Sequence, residues 1–259
     1  MTSMKVLVTR PDAQAKVTIE LLRKHGFKVH HQACLDILPV EPQSVDGLQS
    51  KQLAMDLDTF DHVIVISTNA AQYWLDLVQD YWPQWPVGVQ WWGMGESTQA
   101  QLMAVGIAAK RPVTGDTSEA LLADLLPQIQ THHKVLIVRG CGGRETLSDA
   151  LETAGARVDY AQCYQRKLPH INREQLVSVA EFSPQAVMFQ SGETLGNFEA
   201  LLSDQDWCDK QRVILVLPSA RVAEQAKRLG YQVLLTSGSA SNQAMCDTLL
   251  QTIQQQAPR

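Results

Sequence analysis

Seven short β-branched runs, separated by helical stretches, restrict this chain to an α/β architecture. They are Val6–Val8, Val63–Ile66, Val87–Val89, Val135–Val138, Ala186–Phe189, Val213–Leu217 and Val233–Leu235. Near-continuous apolar strands of this length suit burial on both faces, as in a parallel sheet covered by helices. Between them, apolar residues recur at helical spacing, as in Ala15, Ile19 and Leu22 or Leu121, Leu122 and Leu125. Glycines punctuate the pattern. Leu22, Leu102, Leu151 and Ala226 each stand four residues before a glycine (Gly26, Gly106, Gly155, Gly230), and a strand-like segment follows each. Such a glycine fits the position just past a helix end, where left-handed dihedrals cost it little. The intervals are unequal, which predicts successive βα units and not a tandem solenoid.

Two polar, Pro-interrupted stretches interrupt the alternation: Leu38–Ser44 and Lys167–Asn172. They isolate a central block from two flanks. The first flank carries one strand-helix-strand unit, too small to bury its own core, so it is expected to complete a domain with the C-terminal piece. At 259 residues the chain is long enough for one to two domains without disulfide or metal staples.

Composition excludes several classes. Apolar residues make up 45% and charged residues 19%, which rules out a disordered or collagen-like chain. A net charge of −5 argues against a nucleic-acid binder held by a bulk positive field. An anionic ligand stays possible, because backbone N–H groups and a few Arg bind anions locally. No apolar run approaches a membrane span, and the start leads into Val6-Leu7-Val8 without the length of an export signal. The five Cys (34, 141, 163, 208, 246) form no Cys-x-x-Cys and predict reduced thiols, hence a cytoplasmic protein. The seven His show no metal-ligand spacing.

Ligands of open parallel sheets bind beyond the carboxyl ends of the strands. Here these ends carry small hydroxyl, amide or glycine residues: Thr9-Arg10-Pro11, Ser67-Thr68-Asn69-Ala70, Gly95-Glu96-Ser97-Thr98, Arg139-Gly140-Cys141-Gly142-Gly143, Ser191-Gly192 and Pro218-Ser219. Each loop suits the capping of the next helix. Together they also suit a set of helix amino ends that bind carboxylates or phosphates, with an anion site between domains as the expectation. Arg139–Arg144 is Gly-rich but matches neither Gly-x-Gly-x-x-Gly nor a P-loop, and no Gly-x-Ser-x-Gly or His-Glu-x-x-His occurs. Five of six Trp fall between Trp74 and Trp92, which predicts local packing over an aromatic cage.

These segments, in order, resemble the uroporphyrinogen-III synthase family. The likeness runs through Val6–Pro11, Lys24-His25-Gly26, Leu35–Pro39, Val65–Ala70, Met94–Thr98, Thr117–Leu122, Val135–Gly140, Gly155–Val158 and Cys163-Tyr164-Gln165-Arg166. It spans nearly the whole chain. It departs from the family at Gln190, where Thr or Ser is usual, at Gly192, where Pro is common, and at Val216–Ala220, which lacks the usual Gly-Pro-Thr.

The resemblance implies two doubly wound parallel-sheet domains joined by a two-stranded β connector, with the active site in the cleft between them. The expected limits are 1–33 with 169–259 for one domain, 43–157 for the other, and 34–42 and 158–168 for the connector strands. It also implies the substrate hydroxymethylbilane, a linear tetrapyrrole bearing eight carboxylates and delivered by the preceding pathway enzyme. The enzyme would remove the terminal hydroxyl as water, invert the last ring through a spiro intermediate and close the macrocycle. No metal or redox cofactor is implied, and a monomer is expected. Tyr164 matches the family's tyrosine nearest the leaving group, and a phenol is a protonated donor at neutral pH. Arg10, Ser67, Thr68, Arg139, Ser191 and Ser219 are candidates for gripping the substrate's carboxylates, and Gly140 is a further candidate for substrate binding. Fold alone leaves two rivals open: a two-lobed small-anion binding protein without catalysis, and a transferase using a phosphate-containing donor.

Overall fold

The computed structural model describes residues 4–143, 145–202 and 207–256. The chain divides into two compact units, one running up to Asp36 and resuming at Lys167, the other covering Ile37–Arg166. Arg144, the last residue of the Gly-rich stretch, lies outside the described residues.

The first unit opens with β1 (Lys5–Val8), α1 (Asp12–Lys24) and β2 (Lys28–His31). The second contains β3 (Asp36–Pro39), α2 (Val45–Met55), β4 (His62–Val65), α3 (Thr68–Val78), β5 (Gln90–Gly93) and α4 (Glu96–Ala104). It continues through β6 (Ala109–Lys110), α5 (Ser118–Leu125), β7 (Lys134–Gly140), α6 (Thr146–Thr153) and β8 (Arg157–Lys167). The first unit then resumes with α7 (Arg173–Phe182), β9 (Ala186–Met188), α8 (Gly192–Leu201), β10 (Ile214–Leu217), α9 (Ala220–Arg228), β11 (Val233–Thr236) and α10 (Asn242–Gln256).

In the first unit, five parallel strands lie in the order β11-β10-β9-β1-β2. Alternate strand residues feed two cores, one on each face. Leu7, Val187 and Leu215 join Phe198 and Tyr231 on one side; Val6, Val8 and Val216 join Leu22 and Leu249 on the other. In the second unit the order is β3-β8-β7-β4-β5-β6, with β8-β7-β4-β5-β6 parallel. Here Val63, Val65, Leu136 and Val138 face Trp74 and Leu102, and Ile64, Val135 and Ile137 face Leu121 and Leu151. Cores on both faces make each unit doubly wound. The segments 34–42 and 158–168 contain β3 and β8, which lie side by side at one edge of the second sheet.

The glycine punctuation has a specific geometry. Gly26, Gly106, Gly155 and Gly230 all have positive φ (+84°, +84°, +94° and +95°). In each case the next residue's N–H reaches back to the carbonyl four residues before the glycine: Phe27 to Leu22, Ile107 to Leu102, Ala156 to Leu151 and Tyr231 to Ala226. All four of these following residues are buried. This is the six-to-one closure of a helix end with its accompanying apolar contact.

One strand expectation fails. Val87–Val89 is not a strand: Val87 is fully exposed and Gly88 has φ +95°. The strand is β5, three residues later, because there Trp91 and Trp92 can bury on opposite faces of the sheet. The Trp run is accordingly packing. Trp74 and Trp91 lie in one core, with Trp82 and Trp85 against it, and Trp92 lies in the other.

His62, at the amino end of β4, is fully buried, and its ring nitrogens have no hydrogen-bond partner among the described residues. Burial, with His133 and Lys110 nearby, outweighs Asp61 and pushes its pKa down from 6.5 to about 4. The unfolded chain therefore takes up this proton first. Stability is full above about pH 6.5 and falls as the pH drops towards 4. In urea titrations between pH 7 and 4.5, His62→Leu is expected to flatten this decline. An unchanged slope would remove His62 as its source.

Candidate active site

Each sheet has one point where the strand order reverses, and ligands of doubly wound folds bind outside the carboxyl ends at that point. In the second unit it falls between β4 and β7, and Ser67, Thr68, Arg139 and Gly140 stand at those two strand ends. Tyr164 joins them from β8, where it is the register partner of Gly140.

Ser67 is the cap of α3: its Oγ accepts from Ala70 N at 3.1 Å. The same Oγ lies 3.4 Å from the Tyr164 hydroxyl, a long and weak hydrogen bond. Thr68 opens α3 and is exposed. Tyr164 is only 3% exposed, yet it lines a cavity of about 520 Å³ with Arg139, Gly140, Tyr160 and Arg166. The amino end of α5 faces the same cavity through Thr117 and Ser118. Thr117 Oγ1 caps that helix by accepting from Ala120 N at 3.2 Å. Helix amino ends carry partial positive charge, so this wall favours an anion. Asp116 and Glu119 place carboxylates on the same lining.

Arg139 does not extend into solvent. It is 8% exposed, its guanidinium lies 5.0 Å over the Tyr160 ring, and it donates to the Gly142 carbonyl. The turn after β7 is held from the other side too. Gly142 N donates to Gln162 Oε1 at 3.1 Å, and Gln162 Nε2 donates to Asp46 Oδ1 at 3.0 Å. Cys141 is exposed in this turn, and partial burial together with Asp46 pushes its thiol pKa up, away from thiolate chemistry.

In the first unit the reversal falls between β1 and β9. Arg10 follows β1 and Ser191 follows β9, while Ser219 follows the next strand, β10. Arg10 donates to the Ala240 carbonyl at 2.5 Å, and burial lowers its pKa. Ser191 is a cap, accepting from Thr194 N at 3.1 Å. Ser219 occupies the cap position of α9 without making the side-chain bond. Gln190, beside Ser191, has both amide atoms buried without a hydrogen-bond partner among the described residues.

The eight residues expected from sequence thus form two sets. Tyr164, Ser67, Thr68, Arg139 and Gly140 stand together in the second unit. Arg10, Ser191 and Ser219 occupy adjacent strand ends in the first. Sequence reading missed Tyr73, Tyr160, Gln162 and Asp46. The pairing of Gln162 with Asp46 spans 116 residues and leaves no local trace. Tyr73 stacks on Tyr164 with ring centroids 5.9 Å apart.

A family model described as Uroporphyrinogen-III synthase HemD matches residues 16–247. The uroporphyrinogen-III synthase of Salmonella typhimurium (strain LT2) is 30% identical over 256 residues, 95% of this chain and 100% of that protein. The Escherichia coli (strain K12) protein of the same name is 29% identical over 255 residues, again 95% and 100%. Among solved structures, a mutant uroporphyrinogen III synthase from the extremely thermophilic bacterium Thermus thermophilus superposes with a TM-score of 0.59 at 14% identity, covering 98% of this chain and 100% of that one. The uroporphyrinogen-III synthetase of Helicobacter pylori 26695 gives 0.60 at 12% identity, covering 96% and 99%. At these identities the structural likeness speaks for the fold alone.

Proposed function

This chain belongs to the uroporphyrinogen-III synthase family, and from that premise we propose that it cyclises hydroxymethylbilane to uroporphyrinogen III with Tyr164 as proton donor. The family's reaction is a lyase step in tetrapyrrole and haem biosynthesis. Water is lost, the D ring is inverted and the macrocycle closes.

The observation that carries the residue assignment is the setting of Tyr164. It lines the cavity, its hydroxyl neighbours the capped amino end of α3, and Arg139 and the α5 amino end belong to the same second unit. A phenol so placed can give its proton to the departing hydroxyl, which leaves as water. The proton released from the ring carbon at closure can return to the phenolate. The pyrrole nitrogen lone pair supplies the electron push, so the side chains have only to assist departure and hold the reacting ends. Positioning of that kind contributes several kcal/mol.

Ser67 and Thr68, at the head of α3, and Gly140, at the end of β7, serve the substrate in this reading. Arg139 sets the local positive charge while fixing the turn through Gly142. Arg10, Ser191 and Ser219 serve its carboxylates from the first unit. The same reading takes the protein as a cytoplasmic monomer supplied by the enzyme that makes hydroxymethylbilane. Among the described residues, no helix is long and apolar enough to cross a membrane.

Titration calorimetry with a tetrapyrrole polycarboxylate and, separately, a nucleoside triphosphate tests the ligand class. Binding of the tetrapyrrole alone is expected. Binding of the nucleotide alone would favour a transferase with Arg139–Gly143 as its anion loop.

A further inference from the structure

Strand β8 breaks its own alternation at the residue before Tyr164. Along β7 and β8 the register runs Val138 to Ala161 and Arg139 to Gln162, then jumps from Gly140 to Tyr164, leaving Cys163 as the extra residue of a bulge. Before the bulge, Val158 and Tyr160 pack against the core that holds Leu121 and Leu151, and Ala161 packs against the one that holds Trp74. Regular alternation would send Tyr164 to the side of Tyr160. The bulge instead places Tyr164 with Ala161 and Cys163, on the face covered by α3. Re-aiming one side chain beside a site is a recurrent use of a bulge.

The ring so turned lies flat on a position that has no side chain. A Cβ at Gly140 would stand 2.6 Å from both Cε2 and Cζ of Tyr164, closer than real Cβ contacts come. The backbone does not demand glycine there, because Gly140 is absent from the positive-φ glycines. The ring also stacks on Tyr73, whose hydroxyl donates to the Ile37 carbonyl at 2.8 Å. The main chain is pinned as well: Cys141 N donates to Tyr164 O at 2.7 Å, and Val40 N to Cys163 O at 3.1 Å.

We propose that Gly140 is a positioning residue, kept without a side chain so that the bulged Tyr164 ring can lie against β7 and present its hydroxyl beside Ser67. This deepens the reading of Tyr164 as proton donor and rests on it. It also gives Gly140 a role through Tyr164, distinct from direct contact with substrate.

The test is a double-mutant cycle on the full chain, with kcat, KM and the ratio of type III to type I product as readouts. Misplacing a reacting group by about 1 Å can cost ~10²-fold in rate. Gly140→Ala is therefore expected to lower kcat by about 10- to 100-fold with little change in KM, and to raise the share of type I product. In a Tyr164→Phe background the same substitution should change kcat by less than about twofold, since the displaced hydroxyl is already gone. A general structural effect of the added methyl group would instead multiply through both backgrounds and overturn the proposal. So would Gly140→Ala with wild-type kcat alongside an impaired Tyr164→Phe. A wild-type rate for Tyr164→Phe would sink the donor reading itself, and the proposal with it. Should Gly140→Ala not fold, Tyr73→Leu, which removes the ring's stacking partner, must show the same dependence on the Tyr164 hydroxyl. If its effect persists in the Phe background, the proposal fails.

Discussion

Tyr164→Phe is expected to fold like the parent protein and to lower kcat and kcat/KM together, by about 10²- to 10⁴-fold, the usual scale of general-acid assistance. The bond from the Tyr164 hydroxyl to Ser67 is long, at 3.4 Å, so its removal should cost the fold little. The ring keeps its stack on Tyr73 and its seat on Gly140, which preserves the packing of the buried side chain. Equal losses in kcat and kcat/KM mark an interaction made in the transition state and not in the ground state. The linear substrate also closes unaided to the uninverted isomer, so a slow variant should release more type I product. A raised KM with unchanged kcat would move Tyr164 from chemistry to binding.

Phe198→Ala should cost about 3–5 kcal/mol, measured by urea denaturation, against an ordinary total stability of about 5–15 kcal/mol. Phe198 is fully buried on α8 and stands edge-on to two aromatic neighbours. Its centroid lies 5.1 Å from that of Phe189 and 4.6 Å from that of Trp207. Truncation removes both contacts and leaves a cavity that its close-packed neighbours can fill only in part. Trp207 fluorescence should lose its native environment in the same transition. A loss below about 1 kcal/mol would mean that this core collapses around the gap more freely than a rigid aromatic cluster should.

Local signals are legible where one residue type has one physical use. The pairs ending in Gly26, Gly106, Gly155 and Gly230 mark helix ends because a positive φ and a buried following residue leave little choice. Strands β1, β7 and β10 are legible because their central residues are apolar and buried on both faces. Strand β5 is not, since Gln90-Trp91-Trp92-Gly93 lacks β-branched residues and the valines just before it flank a turn.

The site divides in the same way. Ser67 and Ser191 are readable as helix caps from residue type and position, and both make that bond. The aim of Tyr164 is not readable. Tyr160 and Tyr164 are four apart, which on a regular strand puts them on one face, and nothing local announces the extra residue at Cys163. Arg139 reads in sequence as a candidate for gripping carboxylates, whereas its packing on Tyr160 and its bond to Gly142 depend on a turn that follows the strand. Long-range partners such as Asp46 and Gln162 become visible only once the sheet has brought them together.

The most direct measurement is to give the purified protein freshly generated hydroxymethylbilane, oxidise the product to porphyrin and separate the isomers. Uroporphyrin III well above the spontaneous background is expected, with the yield retained after exhaustive dialysis against chelator. Type I alone, at the rate seen without protein, would contradict the assignment of ring inversion and closure to this chain.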